Sequence, residues 1–436
     1  MIDSVIRATD LDLNKRIDEL EIGSSSTFST HFLERESYSN AKAIIYDAFI
    51  VTIAIEYADR IIKRRKLSKN WGRNIAITIP VFEYDKWNQL HDLLCDVLAT
   101  LTGDFWDIKF VHRRDGFHSI GQSYLNIPSN KDAILAYSEG LDSRAVADIL
   151  SAKKQILRVR VNSKFSDEKC NIFTKVPYKI RFHNRNKETS FRSRGFKFSM
   201  ITSIAAYMTK TPIVIIPESG QGALSASMIQ PGHIYPDYRN HPYFIEKMRI
   251  FVNQLLEVGI RFDFPRLWYT KGETLVEYIN IARNDEWKKT KSCWKSNMDS
   301  SFDGKYRQCG ICAACLLRRL SLHTASLSES NDTYIYSNIN AENIEQGVIK
   351  GFSLNNAFKD YARAGILHWD YFAQLGEGFS NHIVEKQVKL ISSSMNLKEY
   401  YVREKLKAMI IQHGKEWERF LSSIDKKSFI HKLINR

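Results

Sequence analysis

Proline and glycine are scarce in this 436-residue chain, at 9 and 20 residues, which excludes collagen-like and linker-dominated architectures. Long apolar runs are missing as well. The best candidate, Ala41 to Ala58, carries Asp47 and Glu56, whereas a membrane span needs roughly 18 or more apolar residues. No segment is therefore expected to cross a membrane. The opening Met-Ile-Asp-Ser-Val-Ile-Arg has no basic stretch followed by an apolar core, so no secretion signal is expected there. Cysteine numbers only 6, too few to staple a chain this long. Four of them, Cys293, Cys309, Cys312 and Cys315, fall within 23 residues, while Cys95 and Cys170 stand alone. That distribution points to a metal site in a reducing compartment, and the expected location is cytoplasmic. Acidic residues are outnumbered, 49 against 63 Lys and Arg, for a net charge of +14. The surplus suits a polyanionic partner (nucleic acid, nucleotide phosphates or an acidic protein) or simply a basic solvated surface.

What is present is ample core material: 44% hydrophobic and 12% aromatic residues, enough for several domains. Residues 1–130 read as an α/β accessory domain. Ser39 to Arg65 has a long helical pattern ending in the basic run Lys63-Arg64-Arg65-Lys66, which is either a solvated helix end or a contact for an anion. Ile75 to Pro80 and Asp107 to His112 are strand candidates, and Trp87 to Leu101 is an amphipathic helix. From residue 131 to 325 strands and helices alternate: strand Ala133 to Tyr137, helix Ser143 to Ala152, strand Gln155 to Val161, helix Phe196 to Lys210, strand Thr211 to Ile216. This order predicts a doubly wound parallel sheet, whose ligands bind beyond the carboxyl ends of the strands. Residues 326–436 form a helical tail. In its last long helix Val402, Leu406, Met409, Ile410, His413, Trp417, Phe420 and Leu421 recur on one face, with His413 read as a packed core histidine.

Two patterns carry chemistry. Ser138-Glu-Gly-Leu-Asp-Ser143 lies between a strand and a helix, where backbone N–H groups, two serine hydroxyls and a glycine can cradle phosphate. Asp142 can cap the helix or approach a phosphate-bound Mg²⁺. An ordinary strand-to-helix turn is the competing reading. Farther on, Cys293 is followed by fifteen residues and then Cys309-Gly-Ile-Cys-Ala-Ala-Cys315. Four thiolates at this spacing can close a tetrahedral, structural Zn²⁺ site, and an iron–sulfur cluster is the alternative.

The spacing S-x-G-x-D-S resembles the pyrophosphate loop (PP-loop) of ATP pyrophosphatases, with Glu139 where that motif has glycine. Arg144, Arg181, Arg185, Arg192 and Arg194 are candidates to offset its charge, with plain surface charge the competing reading and the preferred one for Arg181 and Arg185. Ser292-Cys293-Trp294, Cys309 to Arg318, Tyr235-Pro-Asp-Tyr-Arg239 and Tyr269-Thr-Lys-Gly-Glu273 together resemble the motifs of QueC-type 7-cyano-7-deazaguanine synthases, in that family's order. Tyr238 replaces a cysteine of the family pattern, and Glu218 to Ser225 departs from its usual loop. The resemblance implies a PP-loop core that takes ATP with Mg²⁺, activates the carboxylate of 7-carboxy-7-deazaguanine as an acyl adenylate and hands it to an amine. It assigns ATP to Tyr137, Ser138, Glu139, Gly140, Leu141, Asp142, Ser143 and Arg194, with Ser138, Asp142 and Ser143 catalytic. Asp237 and Arg239 would contact the deazapurine, unless they form only a local Asp–Arg turn, and Cys293, Cys309, Cys312 and Cys315 would hold zinc. Extended chains of this plan occur in bacterial anti-phage systems, which implies a protein partner and leaves a homodimer open; a nucleic-acid partner rests only on net charge and a few basic runs. A degenerate PP-loop protein serving as a nucleotide sensor or scaffold is the alternative.

Overall fold

Helix Ala43–Ile61 is apolar on every side, and such a helix must be buried all round. In the computed structural model every residue from Ile44 to Asp59 is buried. Its acids are held by partners: Asp47 accepts the N–H groups of Phe82 and Glu83 at 3.0 and 2.8 Å, and burial pushes its carboxyl up to about 6. Burial also pushes Glu56 up, but Lys197 at 2.9 Å outweighs this and holds it below its ordinary value. The structure describes residues 5–10, 18–21, 43–64, 71–113, 130–162, 176–178, 180, 182, 187–230, 234–294, 301–378 and 382–435. Cys170, Arg181 and Arg185 lie outside them.

Two units emerge. The first comprises Met1–Tyr137, Lys154–Ile216 and Gly232–Asp263. It holds a sheet of β1 (Val5–Asp10), β2 (Asp18–Glu21), β3 (Asn74–Val81) and β4 (Phe105–His112) in the order β2-β1-β3-β4. The pair β3–β4 is parallel and the others are antiparallel. Along β4 Trp106, Ile108 and Phe110 point inward and their neighbours outward, the period-2 alternation of a half-buried strand. The second sheet is wholly parallel: β5 (Ala133–Ala136), β6 (Ile156–Val159), β7 (Ile213–Ile215) and β8 (Arg261–Asp263) in the order β8-β7-β5-β6. An α/β chain with a parallel sheet is thus present, and strand order reverses at β5. That reversal is the switch point where open sheets of this kind bind ligands.

Local departures have physical causes. The expected helix Trp87 to Leu101 breaks at Leu90 into Tyr84–Gln89 and His91–Thr102. The break lets Trp87 lie against Phe110 and Phe251. Arg64, read in a solvated or anion-binding run, has a largely covered side chain instead. Its guanidinium grips Asp104 at 2.7 and 3.0 Å, and Arg73 pairs with both Asp104 and Asp59. The other Asp59 oxygen accepts the backbone N–H groups of Arg192 and Ser193, each at 2.7 Å.

The second unit comprises Ser138–Lys153, Pro217–Pro231 and Phe264–Arg436. Helix Leu141–Ser151 buries Leu141, Ala145 and Ile149 against Leu275, Tyr278, Trp287 and Leu322. The tail forms helices Asn356–Gln374, His382–Met395, Glu399–Ser422 and Phe429–Ile434. All eight residues read onto one face of Glu399–Ser422 are buried, His413 among them, and Glu416 is buried beside them. Among the described residues no helix is long and apolar enough to cross a membrane.

Candidate functional site

In the second unit the loop at Ser138 is closed by its own side chains. Ser143 Oγ accepts the N–H of Ser138 at 3.1 Å and lies 3.0 Å from Ser138 Oγ, which in turn accepts the N–H of Gly140 at 3.0 Å. Gly140 is the N-cap of helix Leu141–Ser151, without a side-chain cap, so Asp142 does not serve the capping role open to it. Its carboxylate reaches Lys271 instead, with Oδ2 2.5 Å from Nζ and both side chains largely buried. Asp142 Oδ1 is buried and has no hydrogen-bond partner among the described residues. Such an atom is costly to leave bare and is a hard oxygen donor of the kind that Mg²⁺ takes.

Lys271 opens helix Lys271–Ala282, whose Thr270 and Glu273 form a capping box: Thr270 Oγ1 accepts the N–H of Glu273 at 3.0 Å, and Glu273 accepts that of Thr270 at 2.8 Å. Lys271 lies in Tyr269-Thr-Lys-Gly-Glu273, but nothing in that stretch signals its partner, because only the fold brings it to Asp142. Glu139 is exposed and pairs with Lys291, Nζ to carboxylate 3.6 Å, while the Lys291 N–H donates to the Glu139 carbonyl at 2.8 Å. Of the arginines expected to offset Glu139, Arg144 pairs with Glu286 at 3.2 Å. Two lysines, two hydroxyls, a helix N-terminus and a carboxylate oxygen are together able to bind a polyphosphate with its cation.

Tyr137, Arg194, Asp237 and Arg239 lie in the first unit. Tyr137 follows β5, with its ring 5.3 Å from the Arg158 guanidinium. Arg194 is exposed at the start of helix Arg194–Thr209, over the ring of Phe198. Asp237 and Arg239 do form a local pair: Asp237 accepts the Arg239 N–H at 3.1 Å and its guanidinium, and Arg192 adds a third contact at 3.1 Å. Burial pushes the Asp237 carboxyl up, but the two guanidiniums outweigh it and hold it well below the usual carboxylate range. Tyr238, in the position of the family's cysteine, is buried edge-on to Tyr235, His241 and Tyr243.

The four clustered cysteines meet in the second unit. Their sulfurs all lie within 4.8 Å of one another, and Cys309 Sγ and Cys315 Sγ are 3.7 Å apart. A tetrahedral Zn²⁺ with bonds of about 2.3 Å would space its sulfurs by about 3.8 Å, so the cluster fits a four-thiolate metal. Hydrogen bonds from the thiols of Cys309, Cys312 and Cys315 hold Cys293 far below an ordinary thiol, whereas burial and the neighbouring sulfurs push Cys312 and Cys315 well up, so a metal must displace their protons. Backbone N–H groups of Cys309 and Cys312 point at Cys293 Sγ and Cys309 Sγ at 3.3 and 3.4 Å. Gly310 takes φ +85°, a turn that favours glycine, and its carbonyl accepts from Arg319 at 3.1 Å. Arg318 is buried between Glu329 and Thr290, at 2.7 Å from each.

Residues 222–326 match the family described as "Queuosine biosynthesis protein QueC". The matched quarter of the chain is QueC-like; it holds Asp237, Arg239, Lys271 and all four clustered cysteines, but neither the loop Ser138–Ser143 nor the tail. No curated protein matches the chain.

Proposed function

We propose that this protein is an ATP-dependent enzyme of the QueC type with a PP-loop at Ser138–Ser143. It activates the carboxylate of 7-carboxy-7-deazaguanine, or a similar deazapurine, and transfers the acyl group to an amine. One observation carries the reading. The Asp142–Lys271 pair joins the loop, which lies outside the family match, to a motif inside it. A substrate carboxylate oxygen attacks the α-phosphorus of ATP, and pyrophosphate leaves with the electron pair of the broken P–O bond. The amine then attacks the acyl carbon, AMP departs with the bonding pair, and the amine gives up a proton.

In this reading Ser138, Ser143 and the N–H groups of the loop hold the pyrophosphate, together with Glu139, Gly140, Leu141 and Tyr137 as its frame. Lys271 and Lys291 neutralise developing charge, and Asp142 Oδ1 takes Mg²⁺. Arg194 belongs to the nucleotide, and Arg239 with Asp237 to the deazapurine. Zinc on Cys293, Cys309, Cys312 and Cys315 is structural, since four protein ligands leave no open position. Glu139 is what favours the alternative of a catalytically silent sensor or scaffold, and the neighbouring Lys291 cation weakens that alternative. An acyl adenylate acylates whichever amine is placed beside it, so ammonia and an amine of a partner protein in an anti-phage system are both acceptors of the right chemistry.

The test is pyrophosphate release from ATP with and without 7-carboxy-7-deazaguanine, followed by mass analysis of the products and of candidate partners. Substrate-dependent release with an amide or nitrile product supports the reading, and mass added to a partner identifies a protein acceptor. Nucleotide binding without release assigns the sensor role instead.

A further inference from the structure

The tail helix Glu399–Ser422 lies outside the family match, yet two of its buried polar residues connect to the start of the helix that begins with Lys271, Glu416 through Thr270 and His413 through Gln221. The Lys271 backbone N–H donates to Gln221 Oε1 at 2.7 Å. This orients the Gln221 amide so that its Nε2 donates to His413 Nδ1 at 2.8 Å. His413 Nε2 must then carry the proton, which it donates to the Trp369 carbonyl at 3.0 Å. Burial holds this imidazole down to about 4, so it stays neutral and the chain of donors keeps one direction. Beside it, the Thr270 hydroxyl donates to Glu416 Oε1 at 2.7 Å while accepting from Glu273, and Gln412 donates to the same Glu416 oxygen at 3.0 Å. The packing leaves no slack. A Cβ on Gly272 would sit 2.9 Å from Glu416 Oε2 and 2.7 Å from the Thr324 methyl.

We propose that His413 and Glu416 are positioning residues: through Gln221 and Thr270 the tail fixes the first turn of helix Lys271–Ala282, and so sets where the Lys271 ammonium meets Asp142. The functional consequence rests on the reading of Ser138–Ser143 as a nucleotide loop; the positional consequence does not. Lysines ordered by a buried ion pair acylate slowly, and a pair whose support is cut becomes accessible.

The experiment uses the full-length chain. Lys271 labelling by acetic anhydride is followed by mass spectrometry in the wild type and in His413→Ala, Glu416→Ala and Glu416→Gln, with exposed Lys386 as internal reference. The two alanine variants are expected to label Lys271 about tenfold faster at unchanged Lys386 labelling, and to release pyrophosphate about tenfold more slowly, whereas Glu416→Gln, which keeps the acceptor for Thr270, stays within about twofold. Folded alanine variants whose Lys271 labels at the wild-type rate overturn the clamp. If the alanine variants do not fold, Glu416→Met, which fills the space and leaves the Thr270 cap intact, tests the same link against Glu416→Gln: faster labelling in the methionine variant alone supports it, and equal labelling overturns it. A wild-type protein that releases no pyrophosphate with the deazapurine would sink the proposed function, while the labelling result still decides the clamp.

Discussion

Two aspartate–cation pairs in this protein are built in opposite ways. Asp237 and Arg239 are two residues apart, and the carboxylate takes the Arg239 N–H, its guanidinium and Arg192. Asp142 and Lys271 are separated by most of the parallel-sheet region, share one short contact, and leave Asp142 Oδ1 bare. A local pair needs only its own turn. A distant pair exists only as far as the elements carrying it are held in place, here by a capping box, a buried glutamine and a tail helix. A bare oxygen beside a buried lysine is also a group with capacity left to bind something, whereas a carboxylate with three contacts is already largely committed.

The largest way to break the distant pair is through the metal segment. One tightly bound Zn²⁺ per chain is expected, and Cys312→Ala should give insoluble or locally unfolded protein, because metal binding there contributes on the order of 10 kcal/mol of folding energy. Metal analysis and solubility measure this, and iron with a visible charge-transfer band would refute zinc. Next in size, Asp142→Asn should lower pyrophosphate release about a hundredfold or more in a folded protein. The same change at Asp237 should act chiefly on KM for the deazapurine, by about tenfold. Equal effects on kcat at both positions would erase the contrast.

Third is a pH effect on stability. Burial raises Glu416 from 4.5 to about 7. A carboxyl raised in the folded state contributes stability that is full below about 4.5 and lost as the pH rises through about 7. Glu416→Gln should remove that slope, worth roughly 3 kcal/mol, when denaturant midpoints are compared with wild type across this window. His368 and His413, both held down to about 4 by burial, slope the other way and are common to both proteins. The smallest effect is expected from Arg192→Ala. It leaves Arg239 on Asp237 and the backbone bonds to Asp59 in place, so KM for the deazapurine should rise only about two- to fivefold.

The local pair was the legible one. Asp237 and Arg239 stand in one motif, the clustered cysteines announce themselves by spacing, and the apolar face of the tail helix follows from its period. Lys271–Asp142, Lys291–Glu139 and the covered side chain of Arg64 were not legible, because a charge carries no periodic signal and its partner is chosen by the fold. Glu416 shows the same limit. It sits on the buried side of a helix whose buried apolar residues follow from its period, but a lone glutamate in that pattern does not reveal that Thr270 waits for it.

The assembly of the second unit from three separated stretches also has a cost in time. Between Ser143 and Glu416 the ribosome must add 273 residues. At roughly 5–20 residues per second, the loop leaves the exit tunnel about 14–55 s before the part of the tail that steadies Lys271 does. For the first part of that interval Leu141, Ala145 and Ile149 have a helix to form but no Leu275, Tyr278, Trp287 or Leu322 to cover it. A chaperone that shelters apolar helices therefore has a task at the segment Ser138–Lys153, and a slow codon stretch placed after Lys153 lengthens that exposure.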